Sequence, residues 1–361
     1  MKTIFINKHF PAICVGLSLL TIAPACKKIA EIKELRDFKQ VNLAANNDEY
    51  NAARVDPDFL NGWGLSFGSS GTAWISAATT GLSEVWDQSG NIVLPAVTIP
   101  GPGDAATGGH PSGQLFNATT GFKLSNGSPA KFIFAGLDGV ISGWNGGAAA
   151  LKATDDSKEG AVYTGIALAA DNGANFLYVA NFSEGTVDVY DSNWVEVEKP
   201  FKDANIPPGF APFNVAAVGD VLYVAYAKVG ADGHEETGAG EGYIDVYKPD
   251  GSLVKRFAST GVLNAPWGIT AAPDDFFTGV DMPAIHDAIL VGNFGDGRIN
   301  VYDQSGNFKG PLLTKGKALE IDGLWGISFI PSTATGNHDW LYFAAGPDDE
   351  ADGLFGYIAK E

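Results

Sequence analysis

Short apolar segments alternate with glycine-rich turns along this chain, and one three-part pattern recurs six times. It is clearest where Asn-Ala-Pro-Trp-Gly-Ile-Thr at 264–270 is followed by an apolar run at 288–293 and by an alternating segment at 296–303. Runs of this length bounded by Gly, Asn and Asp are typical of short β-strands joined by tight hairpins. The pattern therefore predicts six small antiparallel sheets.

The six repeats are regularly spaced along the chain. Each opening strand carries a Gly at the same place, except that the fourth repeat has Asn, and neighbouring repeats are 49 to 58 residues apart. A period of this size with four short strands per repeat is the signature of a β-propeller. We therefore predict an all-β fold, a six-bladed β-propeller with four-stranded blades. The reference positions are Gly64, Gly113, Gly165, Asn214, Gly268 and Gly326.

The two ends of the repeat region complement each other. The sixth repeat has only three strands, the last at 353–358, while residues 38–43 alternate apolar and polar positions without belonging to a repeat. Pairing these two segments would complete the sixth blade and hide two sheet edges that otherwise invite aggregation. Residues 38–361 are therefore expected to form one propeller, its ring closed by the N-terminal strand.

The first 25 residues have the features of an export signal. Lys2 and Lys8 precede a 15-residue apolar or small stretch, which is shorter than the roughly 20 residues needed to span a membrane. The stretch ends in Ala-Pro-Ala directly before Cys26, which resembles the lipobox of bacterial lipoproteins. We expect residues 1–25 to be a lipoprotein signal peptide and residues 26–37 to be a lipidated Cys26 followed by a charged tether. Ordinary secretion with cleavage after Ala25 is the alternative.

Cysteine usage favours the lipid anchor. Cys14 would leave with the signal, so Cys26 would be the only thiol of the mature chain and no intramolecular disulfide could form. A single cysteine in an exported protein fits lipidation better than a free thiol. The expected location is therefore extracytoplasmic, with the protein anchored to a membrane in the periplasm or at the cell surface.

The chain is strongly acidic, with a formal charge of −19. Removal of residues 1–25 takes away two lysines and no acid, which leaves about −21. A field of this sign repels phosphate backbones, so nucleic acid is not an expected partner. Solubility alone is the simpler explanation of the charge.

Four short segments of the chain are the basis for a comparison with known families. They are Asn-Gly-Trp-Gly-Leu at 61–65, Gly-Phe-Ala-Pro-Phe-Asn at 209–214, Asn-Phe-Gly-Asp-Gly-Arg-Ile-Asn at 293–300 and Ile-Asp-Gly-Leu-Trp-Gly at 321–326. They resemble NHL-type propeller repeats. More closely, they resemble an uncharacterised family of exported, conserved hypothetical bacterial proteins, some with PEP-CTERM sorting tails and with a relative in a giant virus. The resemblance implies a six-bladed propeller outside the cytoplasm and implies no reaction. No such tail is seen here, and we expect the lipid to replace it.

Residues just before each inner strand of a propeller converge on its axial channel, and these positions supply the candidate ligand-binding residues. Amide, carboxylate and imidazole groups amid aromatic rings would suit a polar organic ligand such as a carbohydrate, or a protein partner. The candidates are Asn61, Trp63, His110, Tyr163, Asn214, Asn264, Trp267, Asp322 and Trp325.

Asp322, Asn264 and His110 could instead hold one Ca²⁺. Calcium-dependent lactonases on six-bladed propellers use a comparable Glu/Asn/Asp cluster to polarise a carbonyl or activate water. No Glu stands at an opening strand here. The residues leave three hypotheses open: a binding module first, then a metal-dependent hydrolase, and also a purely structural role at the cell surface.

Two acidic loops, 231–241 and 347–353, are further candidates for metal binding. The second begins like an EF-hand loop, but its twelfth position is Ala359 instead of Glu. The first contains His234-Glu-Glu, which is typical of a solvated, flexible loop. Solvated acidic turns are the simpler interpretation of both. His338 falls in a third loop and has no evident partner in the sequence.

Overall fold

The structure is a computed structural model that describes residues 38–277 and 287–361. The expected signal peptide (1–25), Cys26 and the tether (26–37) lie outside the described residues. In the described part of the chain, no helix has the length and apolar character needed to cross a membrane.

In the described chain, six sheets of mainly antiparallel strands form the blades of a six-bladed β-propeller, and a separate two-stranded sheet pairs Leu313–Thr314 with Lys317–Ala318. Within blades one to five the strands follow chain order from the axis outward. Blade one contains Gly62–Phe67, Ala73–Ala77, Leu82–Trp86 and Ile92–Thr98. Blade two contains Pro111–Phe116, Phe132–Gly136, Val140–Trp144 and Leu151–Asp155. Blade three contains Tyr163–Asp171, Ala174–Asn181 and Thr186–Asp191, with an isolated bridge between Tyr190 and Glu196 where a fourth strand would lie.

The remaining blades follow the same plan. Blade four contains Phe210–Val218, Val221–Val229, Gly242–Tyr247 and Leu253–Ser259. Blade five contains Pro266–Ala271, Ile289–Asn293, Ile299–Tyr302 and Phe308–Pro311. Blade six contains Leu324–Ser328, Leu341–Ala345, Leu354–Lys360 and Phe38–Ala45. The short elements are a 3₁₀ turn Asp48–Tyr50 and the strands Arg54–Val55, Glu235–Glu236, Leu313–Thr314 and Lys317–Ala318.

The N-terminal strand closes the ring. Phe38–Ala45 pairs antiparallel with Leu354–Lys360, with Val41 opposite Tyr357. Phe38 is fully buried and stacks on Phe276 at a ring-centroid distance of 5.3 Å. The expectation that the first strand completes the last blade is therefore confirmed, and the sixth sheet has no exposed edge at its third strand.

Blades pack because their middle strands are apolar on both faces. Ala73–Ala77 and Leu341–Ala345 are buried at every position. Trp86, at the end of the third strand of blade one, is fully buried in one cluster with Tyr342 and Phe355 of blade six. Because each sheet buries both faces against its neighbours, a single blade has no core of its own.

Inner strands approach each other most closely at the glycines of the repeat. A Cβ on Gly268 would lie 2.7 Å from the backbone oxygen of Trp325, and one on Gly326 would lie 2.7 Å from that of Trp63. Blade four has Asn214 at this place, and its Nδ2 donates a hydrogen bond of 2.7 Å to the carbonyl oxygen of Trp267 in blade five. The ring of inner strands therefore tolerates a side chain at this position in blade four, because Asn214 forms a hydrogen bond with the backbone of blade five.

The propeller has two unlike faces. On the upper face, inner strands begin, and it also carries the loops between blades and the hairpins between second and third strands. On the lower face, inner strands end. The candidate site residues of the sequence lie toward the upper face, except that Asn214 and Trp267 also line a cavity nearer the lower face.

Candidate functional site

An aromatic plug closes the channel toward the upper face. It consists of Trp63, Trp267 and Trp325 from inner strands or their starts, with Phe182, Phe213 and Phe294. Trp325 is fully buried between Trp63 and Phe294, with ring centroids 3.7 Å and 4.0 Å away and nearly parallel planes. These three indoles therefore fill the axis with packed side chains and do not form an open ligand surface.

The three candidate asparagines are buried and hydrogen-bonded within the protein. Asn61 Oδ1 accepts from Trp325 Nε1 at 3.1 Å, and Asn264 Oδ1 accepts from the backbone N–H of Gly238 at 2.6 Å. Asn214 is occupied by Trp267 and by the backbone N–H of Val215. Asn214 and Asn264 thus have structural partners, whereas Asn61 also reaches a carboxylate, as described below.

The other three candidates lie in separate surroundings. His110 is exposed, and its backbone N–H donates to Asp138 at 3.3 Å. Asp322 is exposed and accepts from the backbone N–H of Asp348 at 3.0 Å. The Tyr163 hydroxyl lies between blades, 2.7 Å from that of Tyr190. Over residues 38–277 and 287–361, no three His, Cys, Asp or Glu side chains are grouped so that they could hold a metal ion.

The hairpin between the second and third strands of blade six is strained. Asp348, Asp349 and Glu350 have φ values of 56°, 51° and 66°, three consecutive non-glycine residues in the left-handed region. Such residues cost roughly 1–2 kcal/mol each, and they normally occur singly. Tyr50 and Asn46 hold the end of this turn through hydrogen bonds of 2.5 Å and 2.6 Å to Asp352. Strain that neighbouring structure maintains is characteristic of functional sites.

The strained turn directs Glu350 to Asn61. Asn61 Nδ2 donates to Glu350 Oε2 at 2.7 Å, and Asn61 itself has a φ of 49° and is 4% exposed. A chain of hydrogen bonds therefore runs from the buried Trp325 indole through Asn61 to the Glu350 carboxylate. This chain joins the aromatic plug to the surface of the upper face.

A second carboxyl comes from the insertion of blade four. Glu235–Glu236 form a short strand paired with Lys228 and Val229, and Gly238 is held by Asn264. The insertion is therefore ordered by hydrogen bonds and differs from the flexible loop that its composition suggested. We call Asn61, His234, Glu235 and Glu350 the mouth cluster.

The electrostatics of the mouth cluster are unusual. Burial raises the pKa of Glu350, with Asp349 adding to the effect and with Asn61 and His234 opposing it. Burial, with the charges of Glu350 and Asp232, raises the pKa of Glu235 to about 7. Within the described ranges, neither carboxyl forms an ion pair with a Lys or an Arg. In the part of the chain that the structure describes, the two carboxyls thus have no Lys or Arg partner, and His234 is the basic side chain that acts on Glu350.

Comparison with known sequences identifies relatives of this chain. Uncharacterized protein R648 of Acanthamoeba polyphaga mimivirus is 34% identical over 339 residues, which is 89% of this chain and 80% of the viral protein. Uncharacterized protein L690 of the same virus is 32% identical over 340 residues, 89% of this chain and 86% of its own length. The chain belongs to the same family as these viral proteins. No family model matches the sequence.

The expected relative in a giant virus is thereby confirmed, while bacterial, exported members and sorting tails stay predictions. Among solved structures, a Bacteroides thetaiotaomicron protein of unknown function has a TM-score of 0.55 at 10% identity, covering 89% of this chain and 76% of its own. A streptogramin B lyase has a TM-score of 0.50 at 13% identity, covering 90% and 97%. At such identities these likenesses show the propeller fold alone.

The sequence did not reveal the carboxyls of the mouth cluster. Glu235 and Glu350 are 115 residues apart, and both occur in acidic loops that read as solvated turns. One feature of the sequence could have indicated the site. Three other blades have Asp-Gly or Glu-Gly in this hairpin, whereas blade six has Asp-Asp-Glu, without a glycine to adopt the positive φ that such a turn requires.

Proposed function

We propose that this protein is a binding module whose upper face holds a basic segment of a partner protein. The observation that supports it is the mouth cluster, in which carboxyls from two different blades are partly buried without a Lys or Arg partner in the described chain. A lysine or arginine of a partner would supply the missing charge.

The physical argument is one of compensation. Burial raises the pKa of both carboxyls, and the charge of Glu350 contributes to the rise at Glu235, whose pKa is about 7. Glu235 therefore carries a proton in about half of the molecules at pH 7, and a bound cation would favour its ionised form. The formal charge of −19 attracts basic partners over a longer range. The strained turn keeps Glu350 in place before the partner arrives, which lowers the entropic cost of binding.

The proposal predicts that affinity depends on pH. If the partner cation binds only ionised Glu235, affinity should rise about tenfold between pH 6 and pH 8, because the ionised fraction of a group with a pKa near 7 rises by that factor. The probe is a fluorescent nine-residue peptide with three lysines, measured by fluorescence anisotropy. Its counterpart with glutamine at those positions should bind at least tenfold more weakly.

Matched variants locate the effect. Glu235→Gln should weaken binding of the lysine peptide and remove its pH dependence. Glu236→Gln is the control, because Glu236 is exposed on the same short strand and pairs with Lys228 instead. Equal behaviour of the two variants, or equal binding of the two peptides, would contradict the proposal.

We also propose that the propeller is exported and anchored through Cys26, which the Ala-Pro-Ala-Cys sequence supports. The full chain expressed in a bacterium should incorporate labelled palmitate and sediment with membranes. Cys26→Ala should lose the label. Release of unlabelled wild-type protein into the soluble exported fraction would favour ordinary cleavage after Ala25.

The metal-dependent hydrolase receives no support from the site geometry. Its three proposed ligands lie in separate surroundings, since the backbone of His110 contacts Asp138, Asp322 holds the strained turn and Asn264 holds the blade-four insertion.

A further inference from the structure

The lower end of the channel has a chemistry unlike that of the mouth. A cavity of about 380 Å³ is lined by one segment from each of the six inner strands, with Trp267 of the aromatic plug beside it. A second cavity of about 600 Å³ lies between blades four, five and six. The two cavities share Ala217, Ile269, Thr270 and Pro331, so they adjoin at the lower face.

The walls of the larger cavity are mostly apolar. They include Val218, Ala272, Pro273, Phe329 and Ile330. Among the described residues that line the two cavities, His338 is the one ionisable side chain. A charged ligand would lose its hydration there without meeting an opposite charge, which is costly. The walls therefore select an uncharged, largely apolar molecule, and the volumes lie in the range of small-molecule sites.

His338 supplies a directed polar contact. Its Nδ1 lies 3.1 Å from the carbonyl oxygen of Ile330. A carbonyl oxygen can only accept, so Nδ1 carries the hydrogen, and in the neutral ring Nε2 is left as an acceptor. No described residue donates to Nε2. The half-buried ring thus offers one unused acceptor at an apolar cavity.

We propose that this lower pocket binds a small, uncharged aromatic or alicyclic molecule whose hydroxyl or N–H group donates to His338 Nε2. The site is separate from the mouth cluster and does not depend on the function proposed for it. The apolar walls provide most of the affinity, and the histidine selects ligands that carry a donor.

Three naphthalene probes test the chemistry directly by fluorescence titration at pH 7.5 with the whole chain. 2-Naphthol carries a donor, 2-methoxynaphthalene lacks one, and 2-naphthoate is charged. We expect 2-naphthol to bind roughly three- to tenfold more tightly than the methyl ether, the usual effect of one hydrogen bond. The naphthoate should bind most weakly. Equal binding of naphthol and ether, or no binding of either, would overturn the proposal.

Variants of His338 test whether this residue causes the preference for naphthol over the methyl ether. His338→Leu should abolish the difference between naphthol and ether, while His338→Gln, which keeps an acceptor, should retain part of it. His110→Leu is the control, because His110 is exposed on the upper face. Ala217→Trp, at an exposed position where the two cavities adjoin, should weaken both probes. An unchanged preference in His338→Leu would remove the residue from the site and the proposal with it.

Discussion

The two ends of the channel are built by the same six inner strands, yet they carry opposite chemistry. The upper end has Glu235, Glu350 and three consecutive left-handed residues over an aromatic plug. The lower end has apolar walls and one half-buried histidine. The ends of inner strands and the loops that follow them supply the lower end, with His338 from such a loop, whereas hairpins between second and third strands supply the carboxyls of the upper end. The difference shows that loops can place carboxyls at one end of the channel while the cavity at the other end keeps mostly apolar walls.

The aromatic plug separates the two ends of the channel, and removal of one of its residues should destabilise the protein. Trp325→Ala deletes a fully buried indole stacked between Trp63 and Phe294, and it also removes the donor to Asn61. We expect a loss of about 3 to 5 kcal/mol in the free energy of unfolding, measured with urea. Trp340→Ala is the control, because Trp340 is only partly buried and stacks on Tyr357. A loss no larger than the control's would show that the plug is not a structural wall.

A buried carboxyl lies between blades one and six, and the pH dependence of stability tests whether the protein tolerates a negative charge there. Glu84 is 3% exposed and, in the described chain, accepts no hydrogen bond; it lies on the same strand face as Trp86, toward blade six. Burial, with the charges of Asp56 and Asp58, raises its pKa from 4.5 to about 8. The folded protein thus keeps a proton that the unfolded chain releases, so stability falls as pH rises from about 4.5 to about 8 and then levels off.

Glu84→Gln should remove this pH dependence. The variant should be more stable than the wild type by roughly 4 to 5 kcal/mol at pH 9 and by about 1 kcal/mol or less at pH 5, as measured by urea unfolding at both pH values. The exposed Glu159→Gln in an upper loop serves as the control. A wild type whose stability does not fall between pH 5 and pH 9 relative to the variant would show that Glu84 is solvated or paired.

The inner-strand glycines let neighbouring blades pack closely around the axis, and a single added methyl group should disturb that packing. Gly326→Ala would place a Cβ 2.7 Å from the Trp63 carbonyl oxygen, so blades one and six must separate. We expect a loss of about 1 to 3 kcal/mol, the usual cost of overpacking, in thermal or urea unfolding. An effect below about 0.5 kcal/mol would mean that the inner strands can move apart freely.

Relief of the backbone strain at Asp349 should have the smallest effect on the free energy of unfolding, and it should stabilise the protein. Asp349 is exposed with a φ of 51°, so Asp349→Gly exchanges the left-handed penalty for the entropy of a glycine. We expect a gain of about 0.5 to 1 kcal/mol in the free energy of unfolding. Asp339→Gly, at an exposed position without positive φ, should instead lose a few tenths of a kcal/mol. Destabilisation by Asp349→Gly would show that the turn is not strained.

The sequence predicted the arrangement of strands well and the candidate site poorly. Closure of the ring through Phe38–Ala45 was expected and is confirmed. Of the nine candidate site residues, Asn61 alone joins the mouth cluster through a described hydrogen bond. Position before an inner strand indicates nearness to the axis, but it does not indicate whether a side chain meets solvent, a neighbouring backbone or a ring.

The sequence by itself determined the number of blades, the order of their strands and the seam that closes the ring. These features follow from local periodicity and turn residues, and each repeat records them again. Only the tertiary structure decided that Glu350 meets Asn61, that Glu235 shares their mouth and that His338 borders a neutral cavity. Those contacts join loops distant in the chain, and their geometry depends on blade packing and on positive φ angles, neither of which leaves a periodic trace in the residues.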